Sequence, residues 1–308
     1  MYCVLAYYHI GLIDDPQAEM ERHKKFLNPL DFRGRIYISS QGINGQSSLL
    51  SEDAEKYIAW MRDDPRFAKI DFKIHLSDKH VFPKQTIKVR KQLVAIDCEV
   101  DFSKTGDHIS PEEWQKKLEQ RNSDTLVLDV RNDYEWEVGH FVGAELPKLK
   151  TFREFPKYAK ELKEQRDPKK TSVMMCCTGG IRCEYFSAVL KQEGFEDVVQ
   201  LNGGIIGYGL EKGSDSWEGK LFVFDDRLVV PLDSQATSIA TCALCSCTCD
   251  VYYNCANMDC NELFICCVAC LHAHQGCCCS ACLETGRVRP YKEDPTPFRK
   301  CSSTSSLV

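Results

Sequence analysis

Between Val173 and Leu190 the chain reads VMMCCTGGIRCEYFSAVL, and no other segment constrains the fold as much. SVMM is a short apolar run of strand character, FSAVL continues a helix whose face includes Cys183, Phe186 and Leu190, and CTGGIR lies in the turn between them. A strand that enters a helix through so short a turn belongs to an α/β domain with a parallel sheet. TLVLDVR and DVVQL are further short buried strands, alternating with helical segments.

The same turn carries chemistry. Cys177 falls where backbone N–H groups converge at a helix start, and the helix dipole, those N–H groups and the Arg182 cation all favour its thiolate. Gly179 and Gly180, in a loop completed by Thr178 and Ile181, let the backbone curl around the sulfur or whatever it carries, forming a small anion cradle. Cys183, in the first helical turn, either resolves an oxidised or persulfidated Cys177 by forming a disulfide or packs as a small apolar residue.

Upstream, an apolar run from Tyr2 to Ile10 reads as a strand. Asp15-Pro16 caps a polar helix to about Leu27, and RGRIYIS is a second strand. SQGINGQSS supplies turn glycines, and Ser51-Glu52-Asp53 caps a helix with Ala54, Tyr57, Ile58 and Met61 on one face, ended by Asp63-Asp64-Pro65. DFKIHL and TIKVRKQLVAI are two more strand-like runs, and residues 1–100 are expected to form an α+β ferredoxin-like (acylphosphatase-like) domain of β-α-β-β-α-β order. A polar linker near residues 103–107 leads to Ser110-Pro111-Glu112-Glu113, which opens a helix of the α/β domain, expected over 106–225.

Of 19 cysteines, thirteen crowd between Cys242 and Cys282, marking a separate module over 240–284. The apolar N-terminal residues lack a basic leader and are too few to span a bilayer, so the expectation is a cytoplasmic protein with no membrane partner. Thiols stay reduced there, which favours metal binding or catalysis over disulfides. Cys242/Cys245, Cys255/Cys260, Cys266/Cys270 and Cys278/Cys282 give four pairs, enough for two tetrahedral structural zinc sites. Cys247, Cys249, Cys267, Cys277 and Cys279 leave other pairings open, including Cys267 with Cys270 and Cys279 with Cys282, and His272 and His274 are alternative ligands. The spacing does not match ferredoxin iron–sulfur runs. Residues 285–308, rich in Pro, Ser, Thr and charge, are expected to be a disordered tail.

The net charge of −6 gives no global reason to expect nucleic acid, so any such site must be a patch. Lys84, Lys88 and Arg90, with Lys91 beside them, place cations on one strand face suited to phosphate contacts, or simply to water. Asp129, Glu135 and His140, taken singly, read as a turn acid, a solvated acid and a satisfied histidine. No G-x-G-x-x-G and no facial-triad histidine pattern appears, so no cofactor is established from the residues.

Cys177-Thr-Gly-Gly-Ile-Arg182 resembles the active-site loop of rhodanese domains, whose cysteine carries a persulfide. Its spacing is one residue shorter than the phosphate-binding loop of tyrosine phosphatases. D129VRNDYEWEVGH140 and L201NGGI205 resemble further rhodanese segments. The extended C177TGGIRCE184, with I38SSQGINGQ46 and N254CAN-x-x-C260, resembles the tRNA wobble-uridine hydroxylase family, with Cys176 and Tyr185-Phe186 departing from its pattern. That resemblance implies a tRNA partner and oxygen-dependent hydroxylation of the wobble uridine to 5-hydroxyuridine. Molecular oxygen would be the co-substrate, an unidentified donor would supply electrons, and Cys177 would be the persulfide-bearing cysteine. A persulfide sulfurtransferase and a non-catalytic tRNA-binding protein are the alternative readings.

Overall fold

The computed structural model describes residues 1–285 and 287–291. Its first sheet is built from β1 (Tyr2–Ile10), β2 (Arg33–Ser39), β3 (Gly42–Leu50), β4 (Lys73–Ser77) and β5 (Gln85–Val89), in the order β4-β1-β3-β2-β5. All neighbours are antiparallel except β2 and β5. This is the ferredoxin-like order with an added parallel edge strand. Helix α1 (Pro16–Leu27) starts as its sequence dictates, with the Asp15 carboxylate accepting the N–H groups of Gln17 and Ala18 at 3.0 and 2.9 Å. Together α1 and α2 (Ser51–Asp63) bury Met20, Leu27, Tyr57 and Met61 against Leu5, Tyr7, Ile36, Ile38 and Ile43 on one sheet face.

Three sequence expectations change here. GINGQSSLL, expected to begin in a turn, is the nine-residue central strand β3. Its Gly, Asn and Ser residues have little strand propensity, and ladders with β1 on one side and β2 on the other override it. A Cβ at Gly45 would stand 2.1 Å from the Tyr7 ring, so the glycine is what lets that ring cross the strand. Ser51 does not cap α2 but is its first residue, its hydroxyl donating to the Met1 carbonyl. TIKVRKQLVAI is a strand only to Val89. The chain then leaves the sheet, and Leu93 and Ile96 enter the core of the next unit.

The second sheet, β6-β10-β9-β7, is wholly parallel: β6 (Asp107–Ile109), β7 (Thr125–Asp129), β9 (Ser172–Cys176) and β10 (Asp197–Leu201). The short α4 (Asp133–Trp136) and β8 (Gly139–Phe141) follow β7. A capping box of Ser110 and Glu113 opens α3 (Pro111–Glu119). Alternation along the strands sends Leu126, Leu128, Val173 and Met175 toward α5 (Phe155–Gln165) and α6 (Ile181–Gln192). It sends Val127, Met174 and Val199 toward α3 and α7 (Gly204–Lys212).

The cysteine-rich segment forms a hairpin, Tyr252–Asn254 with Leu263–Ile265, that packs Tyr252 and Ile265 against Phe222 and Val138 beside α4. Residues 287–291, expected within a disordered tail, lie against this segment instead. Met258 N–H donates to the Arg287 carbonyl and Arg289 N–H to that of Ala256. Thr285 accepts from the Asn257 amide at 2.7 Å, and residues 286 and 292–308 of that tail lie outside the described residues. Among the described residues no helix is long and apolar enough to cross a membrane.

Candidate active site

Strand β9 delivers Cys177 to the turn, and α6 begins four residues later. Gly180 adopts φ 104°, a conformation that L side chains rarely take, and its N–H donates to Cys177 Sγ at 3.2 Å. The loop is held from behind by the start of α7, where the N–H groups of Ile205 and Ile206 donate to the carbonyls of Cys177 and Thr178 at 2.9 and 3.0 Å. That approach requires Gly204, at φ 64°, because a Cβ there would stand 2.6 Å from the Cys177 oxygen.

Glu135, expected to be solvated, is instead fully buried under the loop. Its carboxylate takes both Arg182 guanidinium nitrogens, one at 2.8 Å, and accepts the Thr178 hydroxyl at 3.3 Å. Arg182 also donates to the Thr178 oxygen at 3.1 Å, and its guanidinium lies 5.6 Å from the centre of the Phe224 ring. Burial lowers the Arg182 pKa, but the Glu135 charge outweighs it and the net shift is upward. Burial also pushes the Cys177 thiol up. The Cys183 thiol, the Arg182 cation and the backbone N–H groups of Cys183 and Gly180 overcome this, bringing it down to about 6. Cys183, equally buried, is pushed well up by burial and by its hydrogen bond to Cys177, and burial does the same to Cys176. The turn therefore presents one thiolate between two thiols. Asp129, expected as a turn acid, is buried in a fork–fork pair with Arg131, while His140 Nδ1 lies 3.3 Å from the Phe141 carbonyl oxygen.

The opposite wall is the helix-free face of the first sheet. Strand register places Tyr8, Asn44, Tyr37 and Lys88 in one row across β1-β3-β2-β5 and Lys73, Ala6, Gln46 and Arg35 in the next across β4-β1-β3-β2. Between this face and the Cys177 loop lies a cleft of about 300 Å³ whose lining includes Tyr8, Arg35, Tyr37, Asn44, Gln46 and Arg182. Tyr8 fastens the two walls by donating to Glu184 at 2.9 Å, and Glu184 also binds His108 and Gln200. Tyr185 reaches across in the same way to Gln41 at 2.7 Å.

Lys84, Lys88, Arg90 and Lys91 are exposed at the edge of this sheet. Lys84 and Lys88 share a strand face by parity, whereas Arg90 lies past the end of β5 with its guanidinium 5.0 Å from the Tyr37 ring centre. None of the four is among the residues that line the cleft. Tyr8, Asn44, Gln46 and Glu135 carry no motif in the sequence beyond the family resemblance of their surroundings, and pairing across strands is what brings them to the cleft.

In the cysteine-rich segment the sulfurs that lie mutually within 4.8 Å are those of Cys242, Cys245, Cys247 and Cys267, and those of Cys255, Cys260, Cys278 and Cys282. The second set joins two of the expected pairs. In the first, Cys247 and Cys267 join the Cys242/Cys245 pair in place of Cys266 and Cys270, because a hydrogen bond from Ala243 N–H to the Ile265 carbonyl brings Cys267, at the cap of a short helix, beside the Cys242 turn. Cys245–Cys267 and Cys260–Cys278 are 3.7 Å apart and Cys278–Cys282 3.8 Å. A zinc ion with Zn–S of about 2.3 Å gives a tetrahedral edge of about 3.8 Å. Backbone N–H groups of Cys270 and Cys278 point at the Cys267 and Cys255 sulfurs, as thiolate ligands require. Each set can hold one metal ion.

Residues 2–93 match the family described as UPF0176 acylphosphatase like domain, residues 110–211 the rhodanese-like domain, and residues 218–283 the rhodanase C-terminal family. A Chlamydia felis protein named tRNA uridine(34) hydroxylase is 52% identical over 304 residues, covering 97% of this chain and 93% of its own length. A Protochlamydia amoebophila protein of the same name is 53% identical over 302 residues, covering 97% of this chain and 94% of its own length.

Proposed function

The chain belongs to the tRNA uridine(34) hydroxylase family, and from that premise we propose that it converts the wobble uridine of tRNA to 5-hydroxyuridine, with Cys177 at the reacting centre. The observation that carries this reading is a thiolate with a pKa near 6 at the floor of a cleft whose other wall bears Arg35 and, at its edge, Lys84, Lys88, Arg90 and Lys91. The cations line a path for the phosphates on either side of the inserted nucleotide. Molecular oxygen supplies one atom to C5 and leaves the other as water, which consumes two electrons and two protons from an external reductant.

Within the chain, the Gly180 N–H and the Arg182 guanidinium hold negative charge on Cys177 or on a persulfide it carries. Glu135 positions that guanidinium. Cys183, within hydrogen-bonding reach, can attack the Cys177 sulfur and close a disulfide, expelling water from a sulfenic acid or hydrosulfide from a persulfide. The two thiolate sets are structural zinc sites that brace the hairpin against α4, the helix that carries Glu135. A tRNA substrate places the enzyme in the cytoplasm.

The test is mass spectrometry of nucleosides from tRNA of cells lacking the gene, complemented with the native protein, Cys177→Ser or Cys183→Ser. Return of 5-hydroxyuridine with the native chain and not with Cys177→Ser is the expected result. Levels that never depend on the protein, together with robust thiosulfate turnover in vitro, would replace this reading with a persulfide sulfurtransferase, which the same cradle also suits. Full modification by Cys177→Ser would make the loop inert and the protein a tRNA-binding one.

A further inference from the structure

We propose that Asn44 and Gln46 read the pyrimidine edge of the nucleotide in the cleft and select uracil over cytosine; this deepens the function proposed above and rests on it. The two amides are adjacent inward residues of β3, and each is flanked across the sheet by a different chemistry. Tyr8 and Tyr37 stand on either side of Asn44, one strand away each. Their Cα atoms are thus two strand spacings apart, about 10 Å, which admits one planar ring between two aromatic side chains. Both rings are fixed from outside, Tyr8 by its hydrogen bond to Glu184 and Tyr37 by the Arg90 guanidinium. A slot whose walls are already held loses little entropy when a base enters it.

The row holding Gln46 is rich in donors. Arg35 and Lys73 lie in it; Lys73 pairs with Asp71 at 3.1 Å, and Arg35 forms no ion pair among the described residues. Asn44 and Gln46 likewise have no side-chain hydrogen-bond partner among the described residues and line the cleft half-buried. Along the pairing edge uracil presents O4, N3–H and O2 (acceptor, donor, acceptor), whereas cytosine presents its amino group, N3 and O2 (donor, acceptor, acceptor). With the Arg35 cation beside it the Gln46 NH₂ is free to donate to a carbonyl of the ligand, and the Asn44 amide oxygen in the neighbouring row is free to accept an N–H. Uracil meets both through O4 and N3–H, whereas the cytosine amine would face the donors and its N3 lone pair the amide oxygen. The amides thereby check the base before it meets Cys177.

The experiment is a binding titration of the full-length protein with two anticodon stem-loop RNAs that differ only in uridine or cytidine at the wobble position. The native protein is expected to favour the uridine RNA by roughly tenfold or more. Asn44→Ala with Gln46→Ala is expected to bring the two affinities together, and Tyr37→Ala to weaken both by roughly tenfold. If the alanine pair does not fold, Asn44→Asp with Gln46→Glu keeps the shape and replaces the NH₂ donors by acceptors, which should abolish the uridine preference. A native protein that binds both RNAs alike, or a double variant of either kind that keeps the full preference, overturns the proposal. Binding and turnover are read separately: uridine preference without any 5-hydroxyuridine product sinks the hydroxylase reading and leaves the pocket assignment standing.

Discussion

Replacing Glu135 with glutamine isolates the electrostatics of the Cys177 loop with almost no change of shape. Glu135 is 0% exposed and its carboxylate is shared between the Arg182 guanidinium and the Thr178 hydroxyl. Glutamine keeps one hydrogen bond to Arg182 and removes the countercharge, leaving a buried guanidinium neutralised only by the Cys177 thiolate. Removing one partner of a buried pair costs about 3–5 kcal/mol. At roughly 2–4 °C per kcal/mol, the variant should melt on the order of 10 °C below the native protein. The same change has an opposite signature at the sulfur. With the Glu135 charge gone, the Arg182 field on Cys177 is no longer partly cancelled, so the thiol pKa should fall below its native value of about 6. Calorimetry and the thiolate ultraviolet absorbance, measured against Cys177→Ser as a blank, read the two effects on one sample. A variant that melts with the native protein and titrates identically at Cys177 would show that Glu135 does not hold Arg182, and the account of the loop would fall with it.

Native Cys177 binds its proton less tightly folded than unfolded, about 6 against a reference of 9.0. The stability it adds is therefore fully present above the unfolded value and is lost as pH falls through about 6. The difference in unfolding free energy between native protein and Cys177→Ser should accordingly grow between pH 6 and 9, and a difference that is flat across that window would contradict the depressed pKa. The metal reading predicts about two zinc ions per chain after purification under reducing conditions. Chelation should lower the melting temperature and loosen the hairpin from α4. Less than one metal per chain, with no effect of chelator on melting, would refute it.

Local physics explains what was readable from residues alone. Asp15-Pro16 and Ser110-Pro111 place two helix starts because caps act within a few residues. The strand–turn–helix around Cys177 was equally legible, since the apolar run, the glycines and the helix that follow are contiguous. The crowding of cysteines announced a thiolate module, but not its wiring. Cys247 and Cys267 enter the first set because of where a hairpin and a short helix fold back, a matter of chain path rather than of spacing. Strand β3 was hidden because Gly, Asn and Ser say turn in isolation and become a strand only when two neighbours supply ladder partners. Glu135 read as a surface acid because its partner is 47 residues away.

The sequence by itself determined the helix starts, the strand–turn–helix of the loop, the nucleophile and the cation beside it, because these depend on interactions between near neighbours along the chain. Tertiary structure alone decided that a buried carboxylate holds that cation, that the polar face of the first sheet closes over the thiolate, and which sulfurs share a metal. Each of those is a meeting of residues far apart in sequence, and it exists only once burial of the intervening apolar surface has brought them together.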